Sequence, residues 1–426
     1  MRTARRLRLL SAVLFLVFMT GCWDRVEIED VGIVLGIGFD MPANQENGMR
    51  EGKQSKPERI SMIHHLAVPK QFAVKEGGSG QKDYINVVSE GRVVFDNING
   101  LSTRLSRTPS YEHLRVILIS EEVARSFDLK NIINFLLRNP ETRRSIRVLI
   151  CEGKTKNELE KKGIVANPAI NLRGMTEGYR KTLRMPPIMK LGEMSENLTK
   201  KENFVIQWVS AAHEEATISG AAVIRGKDAK MAGWLDEEET VGLNWLKGER
   251  RRSGIIEGTD PKSGASIIFE VHKIARTIKS KPKDGHISFD VEIKAEGRLR
   301  EDWVDLDDAF KEEFISRAER AAEAAIQTAI KKALVKMQQK LMLDAAGFGK
   351  RLQIEYPRVW SKVKGKWDPM FSECPINVKV NVRITEFGTR GSKGGGWRSI
   401  SYPLRFCAHL RKIFNKLDKS KRCTNR

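Results

Sequence analysis

Cysteine is scarce in this chain. Five occur in 426 residues, at 22, 151, 374, 407 and 423, an odd and unpatterned set that is no disulfide framework. No C-x-x-C exists, so neither a zinc knuckle nor a thioredoxin-like redox pair is supported. Cys151 ends the apolar run IRVLIC and is expected as a buried thiol in a strand. Histidine is sparse too, and of the seven only His64 and His65 are close in sequence. On a strand they point to opposite faces, which argues against joint metal binding. HEEAT at 213–217 lacks the second histidine of a zinc protease helix. Neither a G-x-S-x-G elbow nor an S-x-x-K with its partner motifs is present, and the loop KEGGSGQKD has no Walker ending. GIGFDM lacks the third glycine of a dinucleotide fingerprint. The acidic run DEEET at 236–240 lacks the alternating ligand order of a calcium loop. It reads instead as the start of a helix at Asp236, with Val241, Leu243 and Leu246 facing inward. Nothing here supports catalysis, a cofactor or a resident metal.

Negative charge is in deficit, but unevenly. The formal net charge is +21. Arg2, Arg5, Arg6 and Arg8 supply +4, and the stretch from Arg390 onward supplies +10, which leaves +7 for residues 22–389. No basic patch with interleaved aromatics stands out in that body, so nucleic acid is not an expected partner.

No apolar run is of bilayer length. Residues 9–19 are almost wholly apolar and follow a positive start, the order of a secretory signal peptide. About eleven helical residues span only about 16 Å, short of a hydrocarbon core of about 30 Å. The run ends in FMTGC, which resembles the bacterial lipobox. In that pattern cleavage falls between Gly21 and Cys22, and the Cys22 thiol takes a diacylglycerol while its new amino group is acylated. Two or three chains anchor stably where one would be marginal. Trp23, beside the anchor, suits the lipid interface.

The periodicity predicts a mixed α/β, or α+β, multi-domain protein behind the signal peptide. VGIVLGIGFD (31–40) reads as a strand with Ile33, Leu35, Ile37 and Phe39 on one face and glycines on the other. Residues 60–68, 113–120 and 145–152 read as further strands, with helices near 92–105 and after 120. Residues 286–296 and 376–384 alternate strictly, as strands of a half-buried antiparallel sheet do. Between them a helix is expected over 307–344, with a stripe from Phe310 through Phe314, Ala318, Ala322, Ile326, Ile330, Leu334 and Met337 to Leu341. Its acids (Asp305, Asp307, Asp308, Glu312, Glu313) cluster first and its lysines last, with Gly347 and Gly349 as stop signals. The expected domains are a signal peptide (1–21), an N-terminal mixed α/β domain (22–205) and a middle α/β domain (206–280). A C-terminal antiparallel sheet with its long helix (281–389) comes next, and then a basic tail with a disorder-like composition (390–426).

Four stretches in order resemble the spore germination lipoproteins of the Ger(x)C family. GCWDRVEIED (21–30) carries Cys22, Trp23, Asp24, Glu27 and Ile28 of the mature start. RTPSYEHLRVILISEEVAR (107–125) carries His113 before an apolar strand. GAAVIRGKDAKMAGWLDEEETVGLNWLKGE (220–249) carries Gly233, Trp234, Leu235 and Glu239. DAAGFGKRLQIEYPRVW (344–360) carries Gly347, Phe348 and Gly349, with Ala345-Ala346 where the family commonly has larger apolar residues. The tail after 390 has no counterpart in the pattern. The resemblance implies a non-enzymatic C subunit of a nutrient germinant receptor, with the motif positions other than Cys22 structural. It implies association with a multi-spanning A subunit and a membrane-embedded B subunit, outside the cell membrane and the spore inner membrane. A lipid-anchored solute-binding protein of a transporter is the alternative. An anchored envelope hydrolase is disfavoured by the missing motifs.

Overall fold

A computed structural model describes residues 31–42, 59–68, 83–161, 163–210, 215–248, 254–304 and 311–386. The first sheet is built from β1 (Val31–Asp40), β2 (Ile60–Ala67), β3 (Tyr84–Gly91), β4 (Thr108–Ser110), β5 (Val116–Ser120), β6 (Arg147–Cys151), β7 (Met189–Lys190), β8 (Phe204–Ser210), β9 (Thr217–Arg225) and β10 (Lys230–Leu235). Its order is β10-β9-β8-β6-β5-β1-β2-β3, with β4 beside the start of β1 and β7 beside β6. The four middle strands β1, β5, β6 and β8 are parallel, so all begin at one end of the sheet. Both faces are covered, as parallel strands require. Helices α1 (Val94–Asn99), α2 (Glu121–Ser126), α3 (Leu129–Arg138) and α6 (Leu191–Lys200) lie on one face, packed on Ile37, Phe39, Ile117 and Ile150. On the other face lie α4 (Thr155–Glu158) and α5 (Pro168–Met175), against Leu118, Leu149 and Cys151. Cys151 is a buried strand thiol.

Strand β1 departs from simple alternation. A bulge between Val34 and Gly36 inserts one residue and reverses the facing of the rest of the strand. Ile33 and Leu35 therefore meet the α5 layer, whereas Ile37 and Phe39 meet the α3 layer. Gly36 and Gly38 turn to the α4–α5 side, where a Cβ on Gly38 would overlap Thr155.

The second sheet has the order β11-β12-β13-β14, from β11 (Gly254–Thr259), β12 (Ser266–Lys283), β13 (His286–Asp302) and β14 (Ile376–Glu386). It is mixed rather than antiparallel, because β14 runs parallel to β13, with Phe289 opposite Ile376. Alternation reports that one face is covered; it does not encode direction. Direction is set by the helical crossover between the strands, which returns the chain to the end where β13 began. That crossover holds α8 (Glu312–Val335), α9 (Phe348–Glu355), α10 (Pro357–Val363) and α11 (Trp367–Glu373). Helix α8 lays Phe314, Ala318, Ile326 and Ile330 on the sheet, as the stripe predicted. Its α-helical part stops at Val335, gives way to a π-turn at Lys336–Leu341, and ends at Met342 in a left-handed conformation. The stop thus comes before the two glycines, and Gly347 (φ +88°) instead opens α9. Phe310 and the acids at 305–308 lie outside the described residues.

Two sheet edges are blocked by charged side chains. On β14 the N–H groups of Val382 and Ile384 donate to Glu323 and Glu319 of α8, each at 2.9 Å. On β3 the carbonyls of Val88 and Glu90 accept from Arg104 and Arg59. Such capping removes a template for pairing with another chain. A buried ion pair, Arg317 Nε to Asp260 Oδ1 at 3.0 Å, fixes α8 against the β11–β12 turn. Burial raises the Asp260 carboxyl, but hydrogen bonds from Ser263 and Arg317 outweigh it and hold the group below its usual range.

The expected cut at 205 falls inside the first sheet. Residues 206–280 form no sheet of their own: β8, β9 and β10 complete the first sheet, and β11 and β12 begin the second. The reason is hydrogen bonding, since β8 pairs parallel to β6 and carries the β9–β10 hairpin with it. Helix α7 (Glu237–Lys247) then sits between the sheets. One apolar core runs from Val205, Val223 and Leu235 through Leu243, Trp245 and Leu246 to Phe269, Ile326 and Ile330.

Candidate interaction surface

The residues singled out from sequence fall into three groups. Gly21, Cys22, Trp23, Asp24 and Glu27 lie outside the described residues. His113 stands exposed in the turn before β5, apart from the others. The remaining positions come together at the junction of the two sheets.

The central block supplies one side of that junction. Asp236 caps α7, and a reciprocal pair forms: Glu239 N–H donates to Asp236 at 2.8 Å, and Asp236 N–H donates to Glu239 at 3.0 Å. Leu243 and Leu246 turn inward and Val241 is half-buried, as the sequence led one to expect. Gly233 gives room to the π-turn of α8: a Cβ there would lie 2.6 Å from Leu341. Trp234 stacks on buried Trp208 with centroids 5.8 Å apart and planes 9° apart, and remains 41% exposed. Lys336, from the same π-turn, sits 5.4 Å over the Trp234 ring and 3.4 Å from Glu239. A second lysine of α8, Lys332, pairs with Glu238. The Lys332–Glu238 pair is exposed and adds little stability by itself, whereas Lys336 and Glu239 are largely shielded from solvent. Their arrangement fixes the register of α8 on α7.

The Gly347-Phe348-Gly349 block supplies the other side through Asp344, to which the reading of the sequence gave no role. Buried Asp344 accepts from the N–H groups of Ala346, Gly347 and Phe348 at 3.1, 2.8 and 3.2 Å on one carboxylate oxygen. Its other oxygen accepts from Gly349 N–H at 2.7 Å and the Trp367 indole at 2.9 Å. Phe348 is wholly buried against Phe289 and Phe371. Gly349 must lack a side chain because Trp367 occupies that space. Next to Asp344, Asp368 accepts from Asn203 at 2.9 Å, and Asn203 in turn accepts Gly226 N–H at 2.9 Å. Lys350 reaches Glu202 at 3.4 Å. These bonds tie the crossover to the start of β8. The aspartate three residues before a glycine was a readable turn signal. Asn203 and Asp368 offered none.

Buried polar groups in the first sheet are structural in character. Asp40 accepts from Thr155 and Lys156 N–H at 2.8 and 3.2 Å and so caps α4, while burial raises its carboxyl. His65 contacts Asn86 at 2.7 Å and Asn167 at 3.2 Å. His64, on the opposite face, meets Tyr111 at 3.1 Å. Among the described residues no group of three or more His, Cys, Asp or Glu could hold a metal ion. Burial pushes His64 down to about 3 and lowers His65. A histidine depressed from 6.5 leaves the unfolded chain binding the extra proton at intermediate pH, so stability falls as pH falls from about 7 toward about 3. Between pH 7 and 5 the His64 contribution drops by about 2 kcal/mol. His64→Gln should flatten the pH dependence of the unfolding free energy, read by urea titration, by that amount; equal slopes in both proteins would refute the assignment.

The comparisons with known proteins match this architecture end to end. The description "Spore germination protein N-terminal domain" matches residues 24–211, and "Spore germination B3/ GerAC like, C-terminal" matches 219–388. The chain belongs to the Ger(x)C family of spore germination proteins. It is 33% identical over 386 residues to the spore germination protein YndF of Bacillus subtilis (strain 168), covering 88% of this chain and 95% of that protein. To spore germination protein A3 of the same organism it is 31% identical, covering 91% and 99%. The crystal structure of the GerBC protein shares the fold, with a TM-score of 0.55 at 23% identity over 82% of this chain and 97% of that one. The first description ends at 211, just past β8, and the second begins at 219, inside β9, so the division between them falls within the first sheet.

Proposed function

We propose that this chain is the lipid-anchored C subunit of a nutrient germinant receptor, needed for the germination response and acting without catalysis of its own. The observation that carries the reading is the match of both family descriptions in order along residues 24–388. The anchor is Cys22, exposed by cleavage after Gly21, and it holds the chain on the outer side of the cell membrane and of the spore inner membrane. Its partners are the receptor's A and B membrane subunits. No described helix is long and apolar enough to cross a membrane. A solute-binding protein would call for two lobes that close over a cleft. Here one apolar core is shared between the lobes, which favours a rigid assembly subunit.

The test is dipicolinic acid release from spores deleted for the gene, across single nutrients and mixtures. The expected result is loss of at least one nutrient response, restored by the wild-type copy and not by Cys22→Ala. Unchanged release for every nutrient, in a strain with no related receptor, would overturn the proposal.

A further inference from the structure

We infer that the end of the first sheet where β1 begins, together with the basic segment 350–366, is a face that lies on anionic lipid head groups. The parallel strands place the starts of β5, β6 and β8 side by side at this end, and β1 begins five residues before them. The starts of β5, β6 and β8 are level with Gly36, five residues along β1 from Val31, so the start of β8 lies about 22 Å from the start of β1. The chain from Cys22 to Val31 can reach at most about 30 Å. If Cys22 is anchored as proposed, the start of β1 is held within that distance of the bilayer, and this end of the sheet is the end nearest the anchor. The proposed anchor thus sets the orientation; the chemistry of the face stands apart from it.

That chemistry is basic and amphipathic. Arg115, Arg143, Arg144 and Lys201 are exposed just ahead of the three inner strand starts, and none has an ion-pair partner among the described residues. Against this end sits the segment KRLQIEYPRVWSKVKGK, joined to it by Lys350–Glu202 and Asn203–Asp368. It carries six Lys or Arg and one acid, Glu355, which is engaged with Arg351 and Ser280. Arg358, Lys362, Lys364 and Lys366 are exposed and have no ion-pair partner among the described residues. Helix α10, in the middle of the segment, buries no residue. Beside these charges Ile354 is 65% exposed, Tyr356 is exposed, and Trp360 is half-buried against Trp367. Unpaired cations with interleaved Ile, Tyr and Trp, a basic patch that the reading of the sequence did not single out, suit the head-group region, where aromatics settle and basic side chains meet anionic lipid. The outer face of the second sheet differs: it carries cross-strand ion pairs such as Lys273–Glu296 and Arg298–Glu270 and so neutralises much of its own charge.

The experiment uses the mature chain from residue 22 with Cys22→Ala, unlipidated, and vesicles of phosphatidylcholine with or without phosphatidylglycerol. Co-sedimentation should show binding only to the anionic vesicles, weakening as salt rises. Each basic residue near a charged surface is worth roughly fivefold in affinity. Changing Arg358, Lys362, Lys364 and Lys366 together to Gln should therefore weaken binding roughly a hundredfold or more. A matched variant with Lys279, Lys283, Lys379 and Arg383 changed to Gln should lose far less. Both variants keep the basic tail after Arg390. Thermal melts of both variants check that they stay folded. Wild-type binding by the first variant, equal losses in the two variants, or no binding by the parent chain would each overturn the inference. Failure of the anchor reading is separate: the exported chain would lack the diacylglycerol mass, and the vesicle result would stand.

Discussion

Asp344→Ala will cost about 4 kcal/mol of unfolding free energy, close to the largest value expected of a single side chain here. The carboxylate serves four backbone N–H groups and one indole N–H at 2.7–3.2 Å in a buried position. Removing it strands five buried donors, each costing roughly 1–3 kcal/mol unless water enters. Asp344→Asn separates shape from charge. One amide oxygen can still serve Ala346, Gly347 and Phe348, but the NH2 group would then confront two donors, Gly349 N–H and the Trp367 indole. An intermediate loss of about 2–3 kcal/mol is expected for Asn. Urea unfolding followed by tryptophan fluorescence and far-ultraviolet circular dichroism reads both. A loss below about 1 kcal/mol for the alanine variant would mean that the cradle is not what holds the crossover.

Gly242→Ala will weaken the union of the two sheets. Gly242 lies on α7 where α8 crosses it, and a Cβ there would overlap the Ala329 carbonyl and press on the Ala333 methyl. Neither obstacle is a flexible side chain, so the helices must move apart. Overpacking of this kind costs about 1–3 kcal/mol, and this case belongs at the upper end. The shared core predicts a single cooperative transition for the wild type in calorimetry. In the variant that transition should fall by several degrees and broaden or split, as each sheet unfolds more nearly alone. A sharp transition within about 2 °C of wild type would refute the account.

Much of the fold was legible because local pattern carries it. Strand β1 spans 31–40 as read, β2 begins at Ile60 as read, and the α8 stripe packs as its spacing required. The bulge at Val34/Gly36 was not legible, since a single inserted residue leaves composition unchanged while reversing the facing of Ile37 and Phe39. The direction of β14 was hidden for a similar reason: alternation is the same read either way. The stretch 113–120 was read as one strand, but only Val116–Ser120 pairs, because Glu112 and His113 are spent on the turn. At the junction, Glu239, Gly233 and Gly349 came from the family resemblance. What each does depends on Lys336, Leu341 and Trp367, which are distant in sequence and meet them only in the folded chain.

The parallel seat of β14 has a consequence for the order in which the molecule is made. A hairpin partner forms soon after its neighbour, but β14 must wait until the whole excursion after β13 has been synthesised and has folded back. Until then β13 presents an open edge along Phe289–Arg298, and Glu319 and Glu323 have no amides to receive. Strand completion is thus a late event, and it covers the β13 edge and caps the new one in the same step. A chain that stalls before Ile376 would therefore lose more than one strand's worth of burial. It would be held at the stage most exposed to pairing with its neighbours, so quality control over this protein has most to gain by acting on chains short of that point.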